Sequence, residues 1–472
     1  MATYTPNLNL KKPLTGEYYD IVADLNDAKD KIDTAVGSNA SQLADMAINV
    51  KSFGAKGDGV TDDTAAIQTV VNLNKPVFFP KGIYRITSPI TLKQHDFIGA
   101  GAEDTIFKVD GNFHAFVILA NNFNTRPACK VGSFRVYSPN ALAHDKYAFH
   151  CPGTVEGGAL GLYAFAINFS DIEIGDGDFG YGGGFYISDA FRMNLQNIGM
   201  TGVGNPIYLK GSVVQCTFEN ITNNADIVPA SLGSIPNCGM YVVNKLYSDG
   251  YHSAESLKAD KLSFVRNHVG IHHKNGLFCR YSNLDLDFIR DKGIYIYNPA
   301  TFEQVYIASE NTTTTFVGVH VDIPDTGNPI PMILKGFHLN AYAVLAAGSC
   351  AIQYGDGGQS PYREIWGGQV HECWIEGIAN GWPKGIVADR TKSLTVMNNY
   401  VKKGTVVGRV LDATYAKFAL IQGNMFPGGE IHIEAPMSYS FGRVSENQAI
   451  VTISNISDAT RWKIENNYDN IL

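Results

Sequence analysis

Two carboxyl groups held on one face of a strand are the simplest equipment for cutting a glycosidic bond. Leu284-Asp285-Leu286-Asp287-Phe288 has that pattern: with the leucines and Phe288 inward, Asp285 and Asp287 point out together. Side chains at i and i+2 lie ~6.8 Å apart along a strand, and neighbouring strands lie ~4.8 Å apart. Hydrolysis takes a carboxyl pair at about 5–5.5 Å for retention or about 6.5–9.5 Å for inversion, so either geometry is open. Glu303, Glu310 and Asp322 follow in the next segments. A second candidate is His371-Glu372-Cys373-Trp374-Ile375-Glu376, where inward Cys373 and Ile375 leave Glu372, Trp374 and Glu376 outside. Asp171 and Glu173 make a third outward pair. Against each stands the plain alternative of solvated surface, since any β-structure must place polar residues outside.

Aromatic rings are the other requirement for holding sugars. Six segments share a turn residue, an inward apolar residue and an outward ring: Gly184-Phe185-Tyr186, Pro206-Ile207-Tyr208, Gly239-Met240-Tyr241, Gly270-Ile271-His272, Gly293-Ile294-Tyr295 and Gly318-Val319-His320. Stacked, these rings form an outward column in which Tyr241, His272, Tyr295 and His320, with Trp374, are candidates for saccharide contact through their flat faces. A subunit contact or an aromatic ladder stabilising the sheet fits the same pattern. Elimination in place of hydrolysis would need a base, and His272, His273 and Lys274 offer one. No calcium-loop pattern occurs, and neither a metal nor another cofactor is expected.

The elements that would position these groups repeat. Phe185 to Ile207 is 22 residues, Ile271 to Ile294 is 23, and Ile294 to Val319 is 25. Asn399, Asn424, Asn447 and Asn467 recur at steps of 25, 23 and 20, as stacked amides at one corner of a coil would. A β-rich period of this size marks a solenoid whose rungs hydrogen-bond to one another. Tyr247 to Glu255 reads as a protruding loop, and Glu310 to Thr315 and Pro324 to Pro331 as further insertions.

Upstream, Asn49-Val50-Lys51-Ser52-Phe53-Gly54-Ala55-Lys56-Gly57-Asp58-Gly59-Val60-Thr61-Asp62-Asp63-Thr64 reads as a short strand from Val50 to Phe53, a glycine-rich turn, and a helix capped by Thr61 that runs to about Asn74. Asp58, Asp62 and Asp63 are expected to serve turns and caps, not chemistry. With Val77-Phe78-Phe79-Pro80-Lys81-Gly82-Ile83-Tyr84-Arg85-Ile86 and Phe97-Ile98-Gly99-Ala100-Gly101, this stretch resembles the N-terminal lead-in of the pectate-lyase-like superfamily, common in phage tailspikes and secreted polysaccharide-degrading enzymes. The resemblance covers roughly residues 48–110. It implies an all-β chain folded as a right-handed parallel β-helix (a solenoid) with a short N-terminal helical segment. It does not choose among the carboxylate pairs.

Before that stretch, Ile21, Leu25, Ala28, Ile32 and Val36 form one apolar stripe on a helix of about five turns starting at Glu17, with a break at Gly37-Ser38-Asn39. A narrow stripe needs a partner, either its own domain or copies of itself. Thr5-Pro6-Asn7-Leu8-Asn9-Leu10-Lys11-Lys12-Pro13 ahead of it resembles the N-termini of phage tail fibres and tailspikes. The expected division is an attachment and trimerisation segment at 1–47, a capping segment at 48–110 and the coil body at 111–472.

Composition narrows the classes. Among 472 residues, 48 glycines, 24 tyrosines, 25 phenylalanines and 17% charged residues favour an all-β chain with many turns. A formal charge of −8 with no basic run argues against nucleic acid, and no apolar stretch is long enough to insert in a membrane. The seven cysteines are irregularly spaced with no C-x-x-C, so small buried thiols made in a reducing cytoplasm are expected. No signal peptide is apparent.

Together these features point to a homotrimeric phage tailspike, assembled in the host cytoplasm and joined to the tail or baseplate through its N-terminus. It would bind and depolymerise a host cell-surface polysaccharide, by hydrolysis in preference to elimination. The alternatives are a receptor-binding fibre without catalysis, a secreted polysaccharide-degrading enzyme, and a purely structural tail part.

Overall fold

A computed structural model gives the architecture. It describes residues 3–4, 10–12, 21–44, 47–120, 128–139, 145–161, 163–175, 182–225, 231–232, 235–310, 314–323, 332–342, 345–355, 368–377, 382–389, 391–402, 406, 409–414, 417–434, 440–455 and 458–467. The 324–331 insertion and most of 311–315 fall outside them.

Among the described residues, thirty-eight strands pair in parallel into one continuous sheet. Each strand pairs with its counterpart one coil later, so the chain winds into a parallel β-helix. Three faces line each coil. Face A carries strands such as Asn205–Val214, Cys238–Val243, Val269–His273, Lys292–Ile296 and Val317–Val321. Faces B and C are the two halves of bent strands such as Lys258–Val265, Arg280–Ile289, Thr301–Ser309 and Ile333–Ala341.

The bend has a cause in the backbone. Coil after coil, one residue at the B–C corner takes a left-handed conformation: Asn197, Asn220, Lys261, Asn283, Gln304, Gly336, Glu372 and Asn398 all have φ between 52° and 66°. Asparagine and glycine tolerate that region best, and they fill five of these eight positions. Inside the coil, alternate residues pack in stacks, such as Phe116, Phe149 and Phe185 with successive centroids 5.2 and 4.7 Å apart. All seven cysteines are buried and unpaired.

The asparagine ladder is present. Asn399 Nδ2 donates to Asn424 Oδ1 at 2.9 Å, Asn424 Nδ2 to Asn447 Oδ1 at 2.9 Å, and Asn447 Nδ2 to Asn467 Oδ1 at 2.9 Å. Each carboxamide oxygen also takes the backbone N–H of the preceding asparagine, at 3.0–3.1 Å. This satisfies turn amides that burial would otherwise orphan.

Several local expectations need correction. Val50–Phe53 is a 3₁₀ turn, not a strand, and Phe53 is exposed. The helix α2 runs Thr64–Val71, shorter than expected, because Asp58–Asp62 pairs as a strand with Gly82–Ile86 and Asp63 becomes the cap. Asp63 accepts Lys56 N at 2.7 Å and Gly57 N at 3.0 Å, closing the glycine turn. Asp58 accepts Val60 N and Thr61 N, and Asp62 accepts Thr64 N, so all three acids serve the turns. Helix α1 spans Ile21–Ala44 without a break at Gly37. Leu25, Ile32 and Val36 on it are exposed. Tyr247 to Glu255 begins not as an open loop but as part of a hairpin, Lys245–Tyr247 against Gly250–His252.

Candidate functional site

On face A the ring column exists, and it is longer than expected. The strand register places Val117, His150, Tyr186, Tyr208, Tyr241, His272, Tyr295 and His320 above one another, and His114 stacks on His150. From Tyr208 to His320 successive ring centroids are 5.1, 4.8, 4.8 and 4.6 Å apart. At those spacings each ring lies against its neighbours. The flat faces are taken up within the column, and mainly ring edges meet solvent. All these rings are half-buried. Burial, then Lys274 and Lys292, lowers the pKa of His272 to about 4. Burial, then His114, lowers His150 to about 4. His273 faces the coil interior, fully buried, with Nδ1 2.8 Å from the Tyr281 hydroxyl. It is out of reach of any substrate, which removes it from the elimination set.

Face C holds the carboxylates. Asp285 and Asp287 project from Arg280–Ile289 beyond the Asn283 corner, with Leu284 and Leu286 inside. Phe288, expected inward, turns out instead. Its φ is 51°, Ile289 takes the interior position, and the Phe288 ring stacks on Tyr342 with centroids 5.3 Å apart. The Arg266 guanidinium sits 5.5 Å from the Phe288 ring centroid. Asp285 accepts from Ser263 Oγ at 3.2 Å, and Asp287 from the Phe288 N–H at 3.1 Å. Partial burial, followed by the charge of Asp285, raises the Asp287 pKa above the ordinary aspartate value.

The register then links the two carboxylate candidates. Asp285 lies beneath Tyr306, Tyr306 beneath His338, His338 beneath Trp374, and Trp374 beneath Tyr400. Glu376 shares this face with Asp285 and Asp287 but sits three coils away, about 14 Å, too far to act on one bond with them. Asp285/Asp287 and Glu372/Glu376 are therefore separate sites, not one.

Their surroundings differ. Glu376 accepts from His338 Nε2 at 2.7 Å and lies 3.6 Å from Lys402 Nζ. Burial pulls its pKa upward, but hydrogen bonds from His338 and Trp374 and the charge of Lys402 outweigh this and hold it below the ordinary value. Glu372 does not share the face of Trp374. It occupies the left-handed corner, with φ 55°, exposed and 3.8 Å from Lys335. The same holds for Asp171, a corner residue with φ 57° that accepts from Asn197. Glu303 faces side B, opposite Ser282 and Lys335, and Asp322 is buried. Glu310 pairs with Arg290.

Between and beside the pairs lie residues that sequence reasoning missed: Tyr306, His338, Tyr342, Tyr400 and Lys402. The Tyr306 and Tyr342 hydroxyls are 2.7 Å apart. Trp374 is 44% exposed, so much of its surface stays open although Tyr400 lies 4.1 Å from it by centroids. The column from Asp285 to Tyr400 is thus a carboxylate followed by four rings, with Asp287, Asn340, Glu376 and Lys402 alongside. A cavity of about 230 Å³ lined by Val401, Lys402, Val406, Val410, Phe426 and Pro427 opens at its far end, without a carboxylate. Among the described residues no cluster of histidine, cysteine, aspartate or glutamate fits a metal ion.

Residues 47–228 match the family model described as rhamnogalacturonase A/epimerase, pectate lyase-like. This part of the coil is a pectate-lyase-like domain. Curated relatives match over shorter stretches. A mannuronan C5-epimerase of Azotobacter vinelandii is 42% identical over 80 residues, 14% of this chain and 8% of the relative. The preneck appendage protein of Bacillus phage PZA is 35% identical over 68 residues, again 14% and 8%. The matched stretch therefore spans less than a tenth of those relatives' length. Among solved structures, the N-terminal fragment of gene product 12 of bacteriophage Phi29 superposes with a TM-score of 0.53 at 12% identity, covering 90% of this chain and 75% of that one. The pectate-lyase-like lead-in thus opens a parallel β-helix also found in a phage protein.

Proposed function

We propose that this protein is a phage tailspike that binds a host cell-surface polysaccharide and hydrolyses it at Asp285 and Asp287. The observation that carries the reading is the asymmetry of this pair on face C. Two carboxyls two residues apart, about 6.8 Å along the strand, fit the spacing of an inverting acid and base. Partial burial, then the charge of its partner Asp285, raises the Asp287 pKa, the direction that favours a general acid. Asp287 protonates the leaving oxygen, while Asp285 takes a proton from the attacking water. Tyr306, His338 and Trp374 carry the chain along the coil axis. The Glu372/Glu376 pair is less suited, because Glu376 is tied to His338 and Lys402 while Glu372 points away at the corner.

The virion part of the reading rests on the phage relative and on helix α1, whose Leu25, Ile32 and Val36 are exposed as they would be before three copies associate. A trimer is expected by light scattering of the full chain, with loss of association in Leu25→Glu/Ile32→Glu. The catalytic test is incubation with host-envelope polysaccharide and mass spectrometry of the products. Saturated oligomers that disappear in Asp285→Asn and Asp287→Asn support the proposal. Unsaturated uronate ends would replace it with elimination. Binding without products would leave an adhesin.

A further inference from the structure

Near the C-terminal end of face A, three side chains form a hydrogen-bonded relay that glycan hydrolysis does not use. Asp412 and His432 are register partners on adjacent strands, directly above one another. Asp412 Oδ1 lies 2.8 Å from His432 Nδ1, and His432 Nε2 lies 2.9 Å from Ser454 Oγ. Ser454 is on the next coil, aligned with Glu434 two residues beyond His432.

The proton positions follow from the chemistry. A carboxylate has no proton to offer, so the Asp412 contact is a hydrogen bond in the tautomer with the hydrogen on Nδ1, which is the one assigned to the triad. Nε2 then presents its lone pair to Ser454, whose hydroxyl must donate. Arg409 Nη1 is 2.8 Å from Nδ1 and 3.2 Å from Asp412 Oδ1; with Nδ1 protonated, it donates to the carboxylate. Arg409 Nε also faces Glu430 at 3.8 Å. His432 is 6% exposed and so held in place, whereas Ser454 is half-exposed and can be approached. All three groups stand on strands of a packed coil, the rigid support that such a constellation needs.

We propose that Ser454, His432 and Asp412 form a nucleophilic triad that cleaves small acyl esters on the host polysaccharide, a substrate class that rests on the function proposed above. Ser454 Oγ bonds to the ester carbonyl carbon as its proton passes to His432 Nε2. The carbonyl–sugar oxygen bond breaks, and the sugar oxygen leaves with that proton. Water then attacks the acyl-serine, giving its proton to Nε2, and the carboxylic acid departs as the proton returns to Ser454. Asp412 holds the imidazole tautomer and stabilises the transient imidazolium. The site lies on face A, away from Asp285 and Asp287 on face C, so either activity can be lost without the other.

The test is treatment of the full unmutated chain with a fluorophosphonate, a serine-directed probe, followed by tandem mass spectrometry. One adduct is expected, on Ser454. An unlabelled folded protein, or an adduct on another serine, overturns the proposal. Hydrolysis of p-nitrophenyl acetate gives a second readout. Ser454→Ala and His432→Gln should each lower kcat/KM about 100-fold or more. Asp412→Asn should lower kcat while leaving KM nearly unchanged, through the wrong tautomer. Equal turnover in wild type and Ser454→Ala, with matching melting curves, also overturns it.

Discussion

Faces A and C are built from the same repeat, yet they use their outward rings in opposite ways. On face A, consecutive coils contribute Tyr208, Tyr241, His272, Tyr295 and His320, and the rings pack against each other. On face C, Tyr306 meets His338 edge-on, Trp374 remains well exposed, and Asp285 begins the column. An unbroken run of rings saturates itself and stabilises the sheet. A shorter run that begins at a carboxylate and keeps Trp374 well exposed leaves surface for a ligand. Ring count along a solenoid is therefore a poor guide to binding, and unsatisfied ring surface is a better one.

The largest effect that separates the faces should be on turnover. Asp287→Asn keeps the shape but cannot protonate a leaving group, and is expected to cut product formation on the order of 10³-fold. Adsorption to the polymer should be retained, as read by a pull-down with labelled polysaccharide. Turnover within threefold of wild type would move the chemistry off this pair. Next in size is Tyr241→Ala on face A. It opens a gap between Tyr208 and His272 and should cost about 2 kcal/mol of local stability. Faster amide exchange over Cys238–Val243 and its neighbouring coils would report it, with KM unchanged. A raised KM at unaltered exchange would make the column a binding track after all. Trp374→Ala should do the reverse: near-normal exchange, and an affinity loss of about tenfold, or roughly 1.4 kcal/mol.

Why the two faces differed in legibility is a matter of spacing. Face A could be followed through the sequence because each coil announces itself with a turn residue before the inward apolar position, as in Gly293-Ile294-Tyr295. The asparagine ladder was equally visible, since one residue type recurs at a nearly constant step. Face C has no such marker. Asp285, Tyr306, His338 and Trp374 are separated by 21, 32 and 36 residues, because insertions of unequal length fall between the coils. Alternation alone also fails at the B–C corner. A left-handed residue there, as at Glu372, resets the parity, and a second one at the far end of face C, Phe288, does the same, which is why neither faces where strict alternation puts it. The lead-in was legible in its chemistry, with its aspartates in turns, but not in its boundaries. Strand pairing of Asp58–Asp62 claimed residues that local propensity assigns to a helix.

The smallest predicted effect sharpens the structural side of the comparison. Burial, with nearby His114, Lys274 and His272 respectively, lowers His150 and His272 to about 4 and His273 to about 3. In the unfolded chain these groups titrate near 6.5. Between those values the unfolded state binds protons that the native state refuses. Stability must then fall as pH drops from about 6.5 toward 4, and the loss is complete once pH is below the folded values. Carboxylates such as Asp62 and Asp260, whose pKa values lie below the ordinary one, lose their contribution only at lower pH, so the interval from 6.5 to 4.5 reports chiefly the histidines. Melting at pH 4.5 should lie on the order of 5 °C below that at pH 7. His272→Phe keeps a ring between Tyr241 and Tyr295 but removes one titration, and should narrow that difference. If it instead leaves the pH dependence intact while weakening glycan binding, the imidazole edge serves recognition and face A joins face C as a binding surface.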